Sequence, residues 1–321
     1  MDTRPGMIAE LALVALTSVA GALLAPQLPL VGLPLAASAL GWLSYRFGYV
    51  PAVLAAILAT GSATLIYGTL GAAVVIGPAV LLAGPVTAWA LTRWSAVRVV
   101  TGIGIALFAV ALAPIAIEAA SAGTSVSGLM SGTMKVIVDE AVKSAASQQP
   151  GNTEEIKQVS SMFVRYAALL WPSSLLLWFG LPAALVVPVV SRAGQLLGRT
   201  VNRPPSLPEL DLSIHLVWPV IAGLAVLAYT AYTGRTEGFA WAVGANLLLA
   251  VRPVLFMQGA GVFGALYRKA KVGKVGRTLG YALLAASEFA VPSISVVGLL
   301  DLFANLRRLP RGDTPPAQAP V

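Results

Sequence analysis

The sequence predicts an all-α fold, a polytopic transmembrane helical bundle of eight or nine membrane segments. Hydrophobic residues make up 57% of the 321 residues and charged residues only 11%, whereas a soluble domain carries roughly 25% charged residues. Apolar runs recur along almost the whole chain, and several reach the roughly 20 residues that a helix needs to cross a lipid bilayer. Because backbone that faces lipid must satisfy its own hydrogen bonds, each run is predicted to be a helix.

Nine apolar segments define the expected helices. In chain order they cover residues 7–25, 33–47, 50–67, 70–91, 99–117, 166–190, 214–232, 239–267 and 279–303. The second segment is short and is bracketed by prolines, so it is expected either to tilt little or to stop short of one membrane interface.

The segments divide into two units. A six-helix unit is predicted over residues 1–198, and a smaller C-terminal helical unit over residues 214–306. Residues 199–213 contain three prolines and cannot form one helix, so they are predicted to be a cytoplasmic linker. Residues 307–321 are predicted to be a disordered tail.

Basic residues orient the predicted bundle. Lys and Arg lie mostly in short segments between apolar runs, and basic loops of membrane proteins stay in the cytoplasm. This placement predicts a cytoplasmic N-terminus in the inner membrane of a bacterium. It also explains the net charge of +8 without any binding of nucleic acid.

The last apolar segment leaves two topologies open. A single crossing over residues 279–303 would place Arg307, Arg308 and Arg311 outside, against the charge pattern. Either this basic stretch is tolerated outside, or the chain turns back at Pro292 and forms a short helical hairpin. The charge pattern favours the hairpin and a cytoplasmic C-terminus.

The long hydrophilic stretch at residues 118–165 falls on the outer side in this orientation. Within it, apolar residues recur at the spacing of one helix face: Met130, Met134, Ile137, Val138, Ala141, Val142 and Ala145. The pattern predicts an amphipathic helix, followed by a second helix capped by Asn152 or Thr153. The amphipathic helix either rests on the bilayer surface or on neighbouring helices, or forms a lid over an outward-facing cavity.

Short motifs in the C-terminal half carry a resemblance to a known family. They are Leu207-Pro208, Trp218-Pro219, Met257-Gln258-Gly259, and Gly298-Leu299-Leu300-Asp301 followed by Arg307 and Arg308. With these motifs the chain resembles the YybS-like family of bacterial integral membrane proteins. That family looks distantly similar to the substrate-binding S components of energy-coupling factor transporters, six-helix proteins that capture vitamins or metal ions from outside.

The resemblance implies a solute-binding or transport-associated subunit. The solute site would lie in the outer halves of the first six helices, beneath the amphipathic segment, and a membrane partner would dock on small residues of the first helix. The candidates for that role are Ala12, Ala15, Ser18 and Ala22, although small residues also serve ordinary close packing. The alternative is a non-transporting scaffold or regulatory partner of another membrane protein, or a homo-oligomer.

Polar residues inside apolar segments are functional candidates, because burying a charge in lipid costs about 2.5 to 3.5 kcal/mol. They are Arg252, Glu288, Asp301, Asn246 and Gln258. Counted from the basic loop between the last two segments, Arg252 and Glu288 differ in depth by roughly 7 to 8 Å, which an arginine side chain can bridge. We expect either a structural ion pair or contact with an anionic or polar solute.

Enzymatic chemistry finds little support in the sequence. The chain has no Cys and a single His, His215, at the start of an apolar segment. It contains no zinc motif, no phosphate-binding loop and no identifiable base for a Ser nucleophile. We therefore predict no catalytic residue, no metal and no cofactor.

A basic run joins the last two apolar segments and consists of Arg268, Lys269, Lys271, Lys274 and Arg277. Orientation of the chain alone explains it. The alternative is that it also binds anionic lipid head groups.

Overall fold

The computed structural model describes residues 5–148, 153–235 and 238–310, and all of their regular structure is helical. The α-helices are α1 (Pro5–Leu24), α2 (Pro29–Phe47), α3 (Tyr49–Tyr67), α4 (Leu70–Leu81), α5 (Thr87–Leu91), α6 (Ala96–Ser121), α7 (Val126–Gln148), α8 (Thr153–Leu175), α9 (Leu181–Leu196), α10 (Val217–Tyr232), α11 (Phe239–Lys269), α12 (Lys274–Ala290) and α13 (Ser293–Ala304). A π-helical turn at Leu82–Val86 joins α4 to α5, and another at Leu176–Gly180 joins α8 to α9. Each predicted apolar segment contains a helix, so the prediction of an all-α membrane bundle is confirmed.

Six of the described helical segments are long and apolar enough to cross a membrane. They are Tyr49–Tyr67, Ala73–Leu91, Ala96–Ser121, Gln158–Leu196, Ile214–Tyr232 and Phe239–Lys269. A seventh span results if α12 and α13 are counted together. The predicted number of eight or nine is higher because it also counts helices that are shorter or less apolar than these six. The apolar part of α1 covers only Ala9–Leu24, and α2 carries Arg46.

The short second segment, α2, is the central helix of unit 1, which comprises Met1–Pro204. Its residues Leu33, Ala36 and Leu40 are at most 1% exposed. Glycines on its neighbours permit this burial, because a Cβ atom at Gly21 of α1 would collide with Ala36, and one at Gly84 of the first π turn would collide with Leu40. The helix that was expected to stop short is therefore the one that α1, α3 and α9 surround.

The predicted linker is divided between the two units. Arg199 donates from Nε and from a terminal nitrogen to the carbonyl oxygen of Tyr45, at 3.1 and 2.8 Å. Asn202 Nδ2 donates to the carbonyls of Leu91 and Trp94, at 3.1 and 2.9 Å. Unit 1 thus holds residues 199–204, and the boundary between the units falls between Pro204 and Pro205.

The predicted amphipathic helix is present as α7, which packs against α8. The indole nitrogen of Trp171 donates to the hydroxyl of Ser127 at 2.9 Å. On the predicted apolar face, Met130, Met134, Val138 and Val142 are buried or half-buried. Ile137, on the same predicted face, is 54% exposed, and Ala141 is exposed. The second helix includes Thr153 as its first residue, and the other predicted cap, Asn152, lies outside the described residues.

In unit 2, Pro205–Val321, α12 runs back along the 31-residue helix α11 and then turns. In the first half of α12, the ring of Tyr281 lies 5.7 Å from the ring of Tyr267, near the end of α11. At the end of α12, Glu288 reaches Arg252, near the middle of α11. The chain then bends by 103° into α13.

Helix α13 returns toward the C-terminal end of α11. Ser295 in its first turn lies beside Arg252, Gly298 in its middle packs against Leu255, and Asp301 binds Gln258. The two helices therefore form a hairpin, here called the re-entrant hairpin, whose two arms both extend toward the C-terminal end of α11. This is the turn at Pro292 that the sequence favoured. Val291 and Pro292 in the turn are exposed, and the backbone N–H groups of Ile294 and Ser295 that follow find an acceptor in the Glu288 carboxylate.

Residues 307–310, the start of the predicted disordered tail, make side-chain contacts with unit 2. The Arg307 side chain is only 1% exposed, because it pairs with a buried carboxylate. Asn305 Nδ2 donates to the carbonyl of Leu309, and the backbone N–H of Leu309 donates to Asn305 Oδ1, both at 2.8 Å. Residues 311–321 of the predicted tail lie outside the described residues.

Candidate functional site

The tip of the re-entrant hairpin carries a polar cluster formed by Arg252, Glu288 and Ser295, here called the hairpin-tip cluster. Arg252 Nε donates to Glu288 Oε1 at 2.9 Å, and another guanidinium nitrogen donates to the backbone carbonyl of Glu288. The Ser295 hydroxyl donates to the same Oε1 at 2.6 Å. The predicted contact between Arg252 and Glu288 is therefore found, with a serine added to it.

Glu288 also caps the N-terminus of α13. The backbone N–H groups of Ile294 and Ser295 donate to Glu288 Oε2 at 3.0 and 3.2 Å. The residue in the N-cap position is Pro292, whose side chain has no acceptor for these N–H groups. The carboxylate from the preceding helix replaces the missing cap, and its negative charge is favourable at the positive end of the helix dipole.

The hairpin-tip cluster lies deep along the longest helix of the protein. Arg252 is roughly 20 Å from the first residue of α11 and roughly 25 Å from the last, at 1.5 Å per residue. Side chains at such a depth are far from both ends of a membrane-spanning helix, where a charge is stable only when paired and hydrogen-bonded. The cluster meets both conditions.

A second polar cluster lies closer to the end of α11 and consists of Gln258, Asp301 and Arg307, here called the motif cluster. Arg307 donates from Nε and from a terminal nitrogen to Asp301 Oδ2, at 3.0 and 2.8 Å. Gln258 Nε2 donates to the same oxygen at 2.8 Å. Gln258 and Asp301 are fully buried, so the ion pair is shielded from solvent and lipid.

The motif cluster also fastens the chain that enters unit 2. A terminal nitrogen of Arg307 donates to the carbonyls of Leu207 and Pro208, at 3.3 and 3.1 Å. The backbone N–H of Leu212 donates to Gln258 Oε1 at 3.2 Å. The entry segment, α11, α13 and the chain after α13 are thus joined at one buried point.

Two glycines bring α11 and α13 into backbone contact beside this cluster. A Cβ atom at Gly259 would collide with the backbone of Ile294, and one at Gly298 would collide with the carbonyl of Leu255. Close approach through small residues is the usual way in which membrane helices associate. Three of the motifs that carry the family resemblance, Leu207-Pro208, Met257-Gln258-Gly259 and Gly298 to Asp301, therefore meet in one place.

The remaining predicted site residues lie elsewhere. Asn246 Nδ2 donates to the carbonyl of Ala242 in its own helix, at 2.8 Å. Among the four packing candidates of α1, Ser18 and Ala22 are fully buried within unit 1, and Ala12 and Ala15 are exposed. Only the latter two can meet an outside partner.

Sequence reasoning missed two members of the clusters. Ser295 is the third residue after Pro292, a position from which a hydroxyl and an N–H can both reach a capping carboxylate. Arg307 follows Asp301 by six residues, and its charge was attributed to the tail. The sequence signal that could have indicated this ion pair was a basic residue a few positions after an acid in an apolar segment.

A separate groove of about 480 Å³ lies between α3 and α4. Its lining residues are Ile57, Thr60, Gly61, Thr64, Leu65, Ala73, Gly77 and Leu81. The hydroxyls of Thr60 and Thr64 donate to carbonyls of their own helix, so the groove offers an apolar wall. No residue of the amphipathic segment 127–146 lines it, and it is not the outward cavity that the sequence predicted.

Comparison with known proteins places the chain in a family without naming an activity. Within the described residues, no group of three or more His, Cys, Asp or Glu side chains is arranged to hold a metal ion. No curated protein and no solved structure matches the chain. The model of one family, described as "Predicted membrane protein (DUF2232)", matches residues 12–302. The protein therefore belongs to this family of predicted membrane proteins.

Proposed function

We propose that the protein is a transport-associated membrane subunit that binds a polar or anionic solute at the hairpin-tip cluster of unit 2. The observation that carries the proposal is the ion pair of Arg252 and Glu288 at the tip of a broken helix, near the middle of α11. Broken helices at membrane depth commonly form the solute sites of transporters. Ionisable residues inside membrane helices commonly mark solute pathways.

The geometry of Arg252 suits such a role. Its side chain is 33% exposed, whereas that of Glu288 is 11% exposed, so the guanidinium can be approached while the carboxylate stays covered. A guanidinium has five N–H donors, and the described bonds to Glu288 use two of them. The remaining donors suit an acceptor group of a solute, such as a carboxylate or an amide oxygen.

A scaffold role is the second candidate, and the motif cluster favours it. Asp301 and Arg307 are buried and bonded to each other and to backbone, so the residues that carry the family resemblance serve the packing of unit 2. On α1, Ala12 and Ala15 are exposed and could contact another membrane protein. A tightly packed C-terminal unit together with such a contact surface would suit a protein that positions a partner.

Ligand retention separates the two candidates. The purified protein in lipid nanodiscs is incubated with a metabolite extract of bacterial cells, washed, and denatured for mass spectrometry of released small molecules. Arg252→Lys keeps the charge but loses the planar fork of donors, and Arg268→Lys makes the same change in an exposed ion pair. We expect a polar metabolite to be retained by the wild type and by Arg268→Lys and lost in Arg252→Lys.

The melting temperature of Arg252→Lys is measured in parallel, so that loss of ligand is not mistaken for loss of fold. Recovery of a stoichiometric protein partner from native membranes, with no small molecule retained by the wild type, would favour the scaffold over the transport subunit.

A further inference from the structure

The turn between α11 and α12 gathers basic side chains at one end of unit 2. This surface, here called the basic turn, comprises Arg268, Lys269, Lys271, Lys274 and Arg277. The first four are exposed and Arg277 is half-buried. Arg268 is paired with Glu209 at 3.2 Å, and within the described part of the chain the other four form no ion pair.

The Glu209 carboxyl is charged at neutral pH. The nearby Ser206 side chain, the Ser206 backbone N–H, which donates to Glu209 Oε2 at 3.2 Å, and Arg268 together lower the pKa of the Glu209 carboxyl below its usual value. Glu209 therefore stays charged and neutralises Arg268. The positive charge of the basic turn is concentrated on the three lysines and Arg277.

Lys271 occupies a position where glycine is usual. Helix α11 ends with the paired hydrogen bonds of a Schellman motif, from Lys271 N–H to the Arg268 carbonyl and from Val272 N–H to the Tyr267 carbonyl. The motif places Lys271 in the left-handed region, at φ 53°, which glycine adopts without steric cost. Lys271 therefore lies at the tip of the turn in a backbone conformation that favours glycine.

An apolar ridge continues from the basic turn along α12. Val275, Leu279 and Leu283 recur every four residues on one face of the helix, and they are 75%, 60% and 70% exposed. Apolar side chains this exposed on an amphipathic helix suit contact with lipid chains. On the opposite face of α12, the Tyr281 ring packs edge to face against the Tyr267 ring, and tyrosines are typical of the interface between head groups and acyl chains.

The first turn of α12 adds further donors to the basic turn. Its N-cap residue is Gly273, which has no side chain to accept from the first N–H groups, and the turn contains no acidic residue. These N–H groups point toward the same end of the helix as Lys271 and Lys274. Positive side chains and the positive end of the helix dipole thus add at one place.

We propose that the basic turn and the ridge of α12 together form a binding site for an anionic phospholipid. The exposed lysines bind the phosphate head group, and Val275, Leu279 and Leu283 contact an acyl chain of the same molecule. Charge complementarity selects an anionic over a zwitterionic lipid. Continuity of the basic and apolar surfaces selects a lipid over a free anion.

Native mass spectrometry of the intact detergent-solubilised protein tests the proposal. The protein is titrated with phosphatidylglycerol or with phosphatidylcholine of the same acyl chains. We expect phosphatidylglycerol to bind more tightly, and the double variant Lys271→Gln/Lys274→Gln to bind it about 25-fold more weakly, since each lysine near a membrane surface contributes about fivefold in affinity. Binding of phosphatidylcholine should stay unchanged.

The matched control is Lys135→Gln/Lys143→Gln, which removes two exposed lysines from α7 and should leave lipid binding unaltered. Lys271→Gly separates binding from folding, because it should preserve or raise the melting temperature while weakening phosphatidylglycerol about fivefold. Equal binding of the two lipids by the wild type, or an equal loss in the α7 variant, would overturn the proposal. So would a thermal stabilisation by inorganic phosphate as large as that by phosphatidylglycerol.

Discussion

Arg252 Nε lies 2.9 Å from Glu288 Oε1 across 36 residues of sequence, and this contact joins the middle of α11 to the bend between α12 and α13. Glu288 caps α13 and neutralises Arg252 at once. The re-entrant hairpin therefore depends on one carboxylate for both its charge balance and its backbone geometry.

Removing either charge from this pair should destabilise unit 2. Arg252→Ala or Glu288→Ala leaves one charge of the pair without its partner inside the protein. Such a loss typically lowers the free energy of unfolding by about 3–5 kcal/mol. We expect a lower melting temperature in detergent for both, and a smaller loss for Glu288→Gln, which retains an acceptor for the N-terminus of α13. The charge swap should recover only part of the loss, because an arginine at position 288 cannot cap α13. Strictly additive losses would count against the contact.

The motif cluster should respond differently to single and double changes. Arg307→Ala removes the guanidinium from a fully buried carboxylate, and we expect a large drop in thermal stability. Adding Asp301→Asn to Arg307→Ala should restore part of it, because a neutral amide is cheaper to bury than a carboxylate. The control is the exposed neighbour Arg308→Ala, which should be close to neutral. A similar loss in both arginine variants would contradict the arrangement.

The glycine contact between α11 and α13 predicts a contrast between glycines. Gly259→Ala and Gly298→Ala place a Cβ against partner backbone, so each should destabilise the protein by about 1–3 kcal/mol. Gly102→Ala in α6 has open space around its Cβ position and should be neutral or stabilising by about 0.5–1 kcal/mol. The free energy of unfolding in mixed micelles distinguishes them, and equal effects at all three sites would show that the two helices do not approach closely.

The hairpin fixes an expected topology, which can be read by cysteine labelling in this Cys-free chain. Because both ends of the hairpin lie at one end of α11, cysteines introduced at Lys269 and Asp313 should share one side of the membrane. Both should resist an impermeant maleimide in intact spheroplasts, whereas a reporter fused after Gln148 should read outside. Ready labelling of position 313 alone would require a full crossing after residue 279.

The outward cavity of unit 1 stays a prediction. The sequence predicts a pocket of at least roughly 300 Å³, the lower end for small-molecule sites, covered by residues 127–146 and open to the outer side. An experimental structure of the protein in lipid nanodiscs would test it. A closed apolar interior beneath α7 would count against a solute site in unit 1 and favour the hairpin-tip cluster of unit 2.

The contact between Arg252 and Glu288 could be predicted because depth along a helix follows from residue number, and charges in apolar helices have few partners. The hairpin could be predicted for a similar reason, since Pro292 and the following arginines were hard to reconcile with one straight crossing. The exact partners of Glu288 could not be predicted. They depend on the 103° bend, which alone brings the N–H groups of Ile294 and Ser295 to the carboxylate.

Arg307 and the burial of α2 were missed for a different physical reason. Arg307 reaches Asp301 after Asn305 adopts a left-handed conformation, at φ 43°, and turns the chain back. The central position of α2 depends on which neighbours approach Ala36 and Leu40. From composition, α2 looks like any other apolar segment. Burial inside a bundle and exposure to lipid favour the same side chains, so the sequence does not distinguish a central helix from a peripheral one.

The order of Asp301 and Arg307 along the chain has a consequence for biosynthesis. Asp301 leaves the ribosome six residues before Arg307, so the carboxylate reaches the membrane before the guanidinium that neutralises it. A product truncated by a premature stop between residues 302 and 306 would contain the buried acid without its base. We expect such a product to be less stable than the full chain.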